Sequence, residues 1–283
     1  MSQENEKVIA KDKEDLKFLI NQAMKENGYN CDLNFIDVSN VTDMSDLFCK
    51  NFIVENKEVT NTRSLFNGSI SEWDVSHVIN MERMFDGSLF TGDISKWEVS
   101  NVTNMMRMFA ESEFKGDISK WELSIDRISV DDIFASCGIP LSCRPKLKDV
   151  VANNDNIKTL VEKAIHVLGS EADLNFIDVS NVANMAALFE GSSFSGDISK
   201  WNVSNVTDMA RMFAESTFKG DISKWIVSKV TNMDRLFYKS QFDSDISKWE
   251  LLIDRVNMDD TFTSCCIPLS YRPKLKDVIA NNE

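Results

Sequence analysis

All six tryptophans of this 283-residue chain fall at one position of a repeating unit. Trp73, Trp97 and Trp121 are 24 residues apart, as are Trp201, Trp225 and Trp249, and each member of the second triplet lies 128 residues beyond its counterpart in the first. Five of the six end the same pentapeptide, DISKW, at 93–97, 117–121, 197–201, 221–225 and 245–249. A unit of this length cannot bury its own apolar face. It becomes stable by stacking on its neighbours, so the period constrains the fold more than any composition does.

A longer repeat lies over the short one. DLNFIDVSNVTDMSDLF (32–48) returns as DLNFIDVSNVANMAALF (173–189), and RPKLKDVVANN (144–154) returns as RPKLKDVIANN (272–282). The front offset is 141 and the back offset 128, so the first copy carries 13 extra residues, which fall in the irregular stretch 49–69. The chain therefore reads as two tandem modules, 1–152 and 153–283, each of about four coils. Each module opens with an amphipathic helix, over 13–28 and 154–169. Leu16, Leu19, Ile20, Ala23 and Met24 match Ile157, Leu160, Val161, Ala164 and Ile165 at helical spacing, and Gly28 and Gly169 stop the helices. An IPLSxRPKLKDV tail closes each module. Helix and tail are read as end caps, since a terminal coil has one uncovered apolar side.

Within a coil such as 88–109, Trp97-Glu98-Val99 alternates as a strand does, and Val102, Met105 and Phe109 follow the spacing of one face of a short helix. SNVTN between them is rich in capping side chains, and Gly92-Asp93 makes a turn. The expected coil is turn, short strand, cap, short helix, and the expected fold class is an α/β repeat solenoid. Stacking would put Trp on Trp and Phe on Phe, so Trp73, Trp97, Trp121, Trp201, Trp225 and Trp249 are assigned to the structural core. DISKW is then the mark of a structural unit and not of five active sites. Its aspartates, Asp93, Asp117, Asp197, Asp221 and Asp245, would form an acidic ladder suited to hard cations, but a lysine three residues on offsets each charge, and no metal is assigned.

The formal net charge is −14, with an acidic excess in both halves, which argues against nucleic acid as a partner and permits a basic protein. No apolar run is long enough to span a membrane, and the polar start lacks a signal-peptide pattern, so the chain as written is expected to be cytoplasmic. The six cysteines form no CxxC pair and are read as free thiols. His77 occupies the Asn position of a VSNV cap, and His166 lies on a helix border. No nucleophile motif, P-loop or GxGxxG accompanies them, so no catalytic residue, cofactor or small-molecule substrate is assigned. The NVT triplets at Asn40, Asn101 and Asn205 are by-products of the cap sequence.

What remains is recognition. Asp74, Glu98, Glu122, Asn202, Ile226 and Glu250 lie between the Trp and the next apolar residue, and should point outward from the strand face as the most variable column of the coil. They are the candidate partner-binding residues, and an exposed Ile226 would mark an apolar contact spot. GDISKWEVSNVTNMMRMF, GDISKWNVSNVTDMARMF and DLNFIDVSNVTDMSDLF resemble the repeat of the BspA-like leucine-rich-repeat surface proteins of bacteria, over roughly 30–135 and 171–263. The general leucine-rich pattern maps onto Ile94, Trp97, Val99 and Val102, with Val102 where that pattern has an inward Asn. The resemblance implies a curved solenoid that binds macromolecules, displayed at the cell surface or secreted in many members, and it supplies no catalytic residues. The expectation is a non-enzymatic protein that recognises a protein partner. The alternatives are an exported adhesin, or an acidic intracellular inhibitor that mimics nucleic acid or docks a basic protein.

Overall fold

A computed structural model of the chain describes residues 7–50, 63–252 and 255–276. Residues 51–62, which hold most of the insertion-bearing stretch, and 277–282, the end of the second tail, lie outside the described residues. The chain divides into two compact units. Unit 1 is Met1–Lys148 with His166–Leu168, and unit 2 is Asp149–Ile165 with Gly169–Glu283.

Two helices form where the periodicity placed them, α1 over Lys13–Asn27 and α2 over Ile157–Leu168. The start of α1 is set by Asp12, whose side chain accepts the Asp15 amide at 2.9 Å, and Glu14 and Asp15 in the first turn suit the positive end of the helix dipole. Gly28 (φ 80°) and Gly169 (φ 90°) end the helices, each donating its amide to a carbonyl four residues back. Leu16, Ile20, Ala23 and Met24 are buried and Leu19 packs beside them.

The coils join differently from the sequence expectation. Over Met81–Ser88 the backbone is a ribbon of overlapping turns. The amides of Met84, Asp86 and Ser88 return to carbonyls three residues back, while Met81, Arg83, Phe85 and Gly87 donate to Asn104, Met106, Met108 and Ala110 of the next copy at 2.8–2.9 Å. The same alternation recurs over 105–112, 185–192, 209–216 and 233–240. The short helix expected from Val102, Met105 and Phe109 is therefore this ribbon. Positive φ at Arg83, Gly87, Arg107 and Glu111, and at their equivalents in unit 2, turns every second amide outward. A helix would turn its amides beyond the first turn onto its own carbonyls and leave mainly side chains to join copies. Ribbon and helix share a repeat of three to four residues, so the apolar spacing alone could not separate them.

The expected strand in each coil is also absent from the interior copies. Among the described residues, two- and three-residue parallel pairing at the Trp-x-Val column occurs only at the ends of the units. β1 (Val8–Ile9) pairs with β2 (Ile36–Asp37), β3 (Glu122–Leu123) with β4 (Lys146–Leu147), β5 (Val150–Val151) with β6 (Ile177–Asp178), and β7 (Glu250–Leu252) with β8 (Lys274–Lys276). In the interior the tryptophan replaces the ladder. Each indole Nε1 donates to a carbonyl of the preceding copy: Trp73 to Leu33, Trp97 to Ile70, Trp121 to Ile94, Trp201 to Leu174, Trp225 to Ile198 and Trp249 to Ile222, at 3.0–3.3 Å.

The core of each unit is a set of aromatic columns along the repeat. In unit 1 Phe48, Phe85, Phe109 and Phe134 stack at centroid separations of 5.6–5.9 Å, beside Phe66, Phe90 and Phe114 at 6.0–6.2 Å. In unit 2 Phe189, Phe213, Phe237 and Phe262 stack at 5.6–6.0 Å. Trp97 lies on Trp121 at 6.4 Å and Trp201 on Trp225 at 6.5 Å, both within 7° of parallel. All six tryptophans are buried.

Candidate interaction face

The column between Trp and Val is solvent-exposed at all six chosen positions, Asp74, Glu98, Glu122, Asn202, Ile226 and Glu250. They are not equivalent. Asp74, Glu98 and Asn202 fold back on the chain, each accepting the amide of the serine two residues on, at 3.0, 3.1 and 3.2 Å. Asp37 and Asp178, in the same column of the first coil of each unit, do likewise. These side chains hold the VSN turn in place. Glu122 and Glu250 lie under the closing strands instead. Glu122 is opposite Lys146 in register and 3.8 Å from the Lys148 ammonium, and Glu250 is opposite Lys274.

Ile226 does neither. It has no group with which to accept the Ser228 amide, and it is 62% exposed. Beside it Val227–Thr231 line an open groove of about 310 Å³ together with Thr207, Leu251 and Arg255. That segment carries Lys229, whose ammonium reaches the Asn205 amide oxygen at 2.6 Å. In the equivalent places Asn101 and Asn205 donate to the Ser76 and Ser180 carbonyls of the preceding copy at 2.8 and 2.9 Å. Asn of SNV is therefore a staple between copies, and His77, in the same position, touches the Ser76 hydroxyl at 3.2 Å.

The DISKW aspartates are likewise turn residues. Asp93, Asp117, Asp197, Asp221 and Asp245 each accept the amide of the serine two residues on at 2.8–2.9 Å. Bonds from that serine's amide and hydroxyl hold all five carboxyls below the usual carboxylate range. Among the described residues no three His, Cys, Asp or Glu side chains converge as a metal site. The cysteines are free thiols. Cys31 and Cys49 are buried, and burial pushes the Cys49 thiol up to about 11.

One charged cluster was not singled out from the sequence. The Asp86 carboxylate is 1% exposed and meets Arg83 at 3.2 Å, Arg107 at 3.3 Å and Lys50 at 3.6 Å, while Glu111 closes the group through Lys50 at 2.8 Å and Arg107 at 3.3 Å. The cations arrive from three successive ribbons, so the cluster ties unit 1 together across the copies. Its signal was faint: the same column holds Ala110, Glu190, Ala214 and Tyr238, and only position 86 combines a short acid with a following Gly.

The family described as "Mycoplasma protein of unknown function, DUF285" matches residues 14–139 and 155–267. No curated protein and no solved structure matches the chain.

Proposed function

The chain belongs to the DUF285 family, and from that premise we propose that it is a non-enzymatic recognition protein, a BspA-like solenoid of leucine-rich-repeat type that binds a protein partner on the face carrying Ile226. The observation that carries this reading is the contrast within one column. At five positions the side chain serves the fold, as a turn acceptor or opposite a closing strand, whereas Ile226 serves neither purpose and presents an apolar side chain to solvent. An exposed apolar residue beside a groove with a mixed rim of Lys229, Arg255 and Thr231 suits a protein surface better than a small polar substrate. The net charge of −14 over the whole chain favours encounter with a basic protein, although the rim beside Ile226 itself carries Lys229 and Arg255.

The test is affinity capture from native-host lysate and from host-cell surface extract, with wild type, Ile226→Lys, and Ile79→Lys as a control at a 49% exposed residue of unit 1. A protein retained by wild type and by the control, but held roughly tenfold less by Ile226→Lys, supports the reading. The extract that yields it separates an intracellular binder from an adhesin. Equal retention by Ile226→Lys overturns it.

A further inference from the structure

One turn is written six times along the chain, as DVSNVT (37–42), DVSHVI (74–79), EVSNVT (98–103), DVSNVA (178–183), NVSNVT (202–207) and IVSKVT (226–231). At its first place Asp37, Asp74, Glu98, Asp178 and Asn202 each accept the amide of the serine two residues on. Ile226 has no group with which to do so. At its fourth place Asn101 and Asn205 donate to the serine carbonyl of the preceding copy, whereas Lys229 turns its ammonium to the Asn205 side chain. The last of the six thus departs from the repeat at two places, and both Ile226 and Lys229 are exposed. Two groups that hold the fold elsewhere are exchanged here for an apolar side chain and a cation. Such local breaks of a repeat's own rule are expected where something other than the fold sets the residue.

The groove beside this turn has a counterpart in unit 1, smaller at about 190 Å³, where Val99–Thr103, Leu123 and Arg127 stand in the places of Val227–Thr231, Leu251 and Arg255. The charges on the two walls differ. In unit 1 Arg127 is balanced by Glu122, and its guanidinium reaches the Ser124 hydroxyl at 3.5 Å. In unit 2 the wall carries Lys229 and Arg255 and, among the described residues, no acid. The sequence has Leu252 in the place of Ser124. Asp254 lies outside the described residues, and its counterpart Asp126 is exposed and is not part of the unit 1 wall. Two exposed cations and an exposed isoleucine therefore border one groove of a chain whose net charge is −14. At contact distance the groove decides the sign, because exposed charges more than about 8 Å away are largely screened at physiological ionic strength.

We propose that the groove beside Ile226 receives a linear segment of the protein partner in which a carboxylate side chain stands next to an apolar one. Lys229 and Arg255 hold the carboxylate, and Ile226 covers the apolar residue. The proposal rests on the recognition reading above and adds the chemistry of the segment recognised. Two cations on one wall suit a carboxylate, which they can bind through charge-assisted hydrogen bonds. Val227, Val230 and Leu251 give the same wall an apolar part, and about 310 Å³ is the size of a site for a few side chains. A polyanion is the weaker occupant. It would meet the acidic excess of the rest of the chain and would leave Ile226 against water.

The test is selection of phage-displayed random linear peptides on the full-length protein, with a variant carrying Ile226→Asn and Lys229→Asn for counter-selection. Both changes install residues that the repeat itself uses, at 202 and 205. The variant's melting temperature should therefore hold or rise by a few degrees. A fall would mean that the two residues serve the fold, and overturns the proposal. The enriched peptides should share Asp or Glu beside Leu, Ile or Phe. Fluorescence anisotropy with a labelled synthetic copy should show binding weakened roughly tenfold by each of Ile226→Asn, Lys229→Asn and Arg255→Gln. Arg127→Gln, the same change in unit 1, should leave it unaltered. Replacing the peptide's apolar residue by Ala should also weaken binding, and equal binding of that peptide would mean bare attraction between charges and overturns the proposal. Peptides that are uncharged or basic, and that respond to Ile226→Asn but not to Lys229→Asn or Arg255→Gln, overturn it while leaving the recognition reading in place. Absence of peptides that prefer wild type overturns it too, and the capture experiment with Ile226→Lys then decides the recognition reading separately.

Discussion

Asp93 and its equivalents hold their carboxylates against the serine two residues on, and this bond fixes the sign of the response to acid. The folded-state pKa of Asp74, Asp93, Asp197 and Asp221 is lowered by the amide and hydroxyl of Ser76, Ser95, Ser199 and Ser223. A depressed carboxyl contributes stability that is present above its unfolded value, about 3.9, and lost as pH falls through the folded value. The unfolding temperature should therefore hold from neutral pH to about 4 and fall below it. Asp93→Asn, which keeps an acceptor oxygen but cannot titrate, should reduce the slope. A melting temperature that rises on acidification would show instead that relief of the −14 self-repulsion dominates.

The repeating element is defined by what its tryptophan does twice: the ring fills the stack, and the indole N–H closes a carbonyl of the preceding copy. The two roles separate by substitution. Trp97→Phe keeps a ring but removes one of two donors to the Ile70 carbonyl, which still accepts the Trp73 amide at 3.3 Å, at a cost of about 0.5–1.5 kcal/mol. Trp97→Ala also opens a cavity and should cost about 3–5 kcal/mol. Chemical denaturation of both variants reads the difference, and equal stability of the Phe variant and wild type would remove the hydrogen bond from the account. The ribbon obeys a similar economy. Gly87 and Gly191 share a column with Glu111, Glu215 and Lys239, all at positive φ, so the chain tolerates left-handed backbone there even without glycine. The outward amides of Phe109, Glu111, Phe213 and Glu215 show what that conformation provides, namely bonds to the next copy.

At the scale of the molecule, each unit is a row of like copies whose bonds run mainly to the nearest neighbour, and stability in such a row is expected to be local. Trp225→Ala in unit 2 should lower amide protection most over the copies that contain Met209–Ser216 and Met233–Ser240, and less toward Ile177. Hydrogen exchange followed by mass spectrometry resolves this, and a uniform loss across the unit would show all-or-none behaviour instead. The sequence by itself determined the period, the duplication, the two helices with their glycine stops, the burial of the six tryptophans and the exposure of the Asp74-to-Glu250 column, because each of these is written in the spacing of apolar residues along one chain. The tertiary structure alone decided that Val102–Phe109 runs into a turn ribbon and not a helix, and that Trp-x-Val pairs as strand only at the ends of the units. It also decided that Asp86 gathers cations from three ribbons. These outcomes depend on which amide or carboxylate meets a group in another coil, and spacing within one coil carries no information about the partner that the next coil brings.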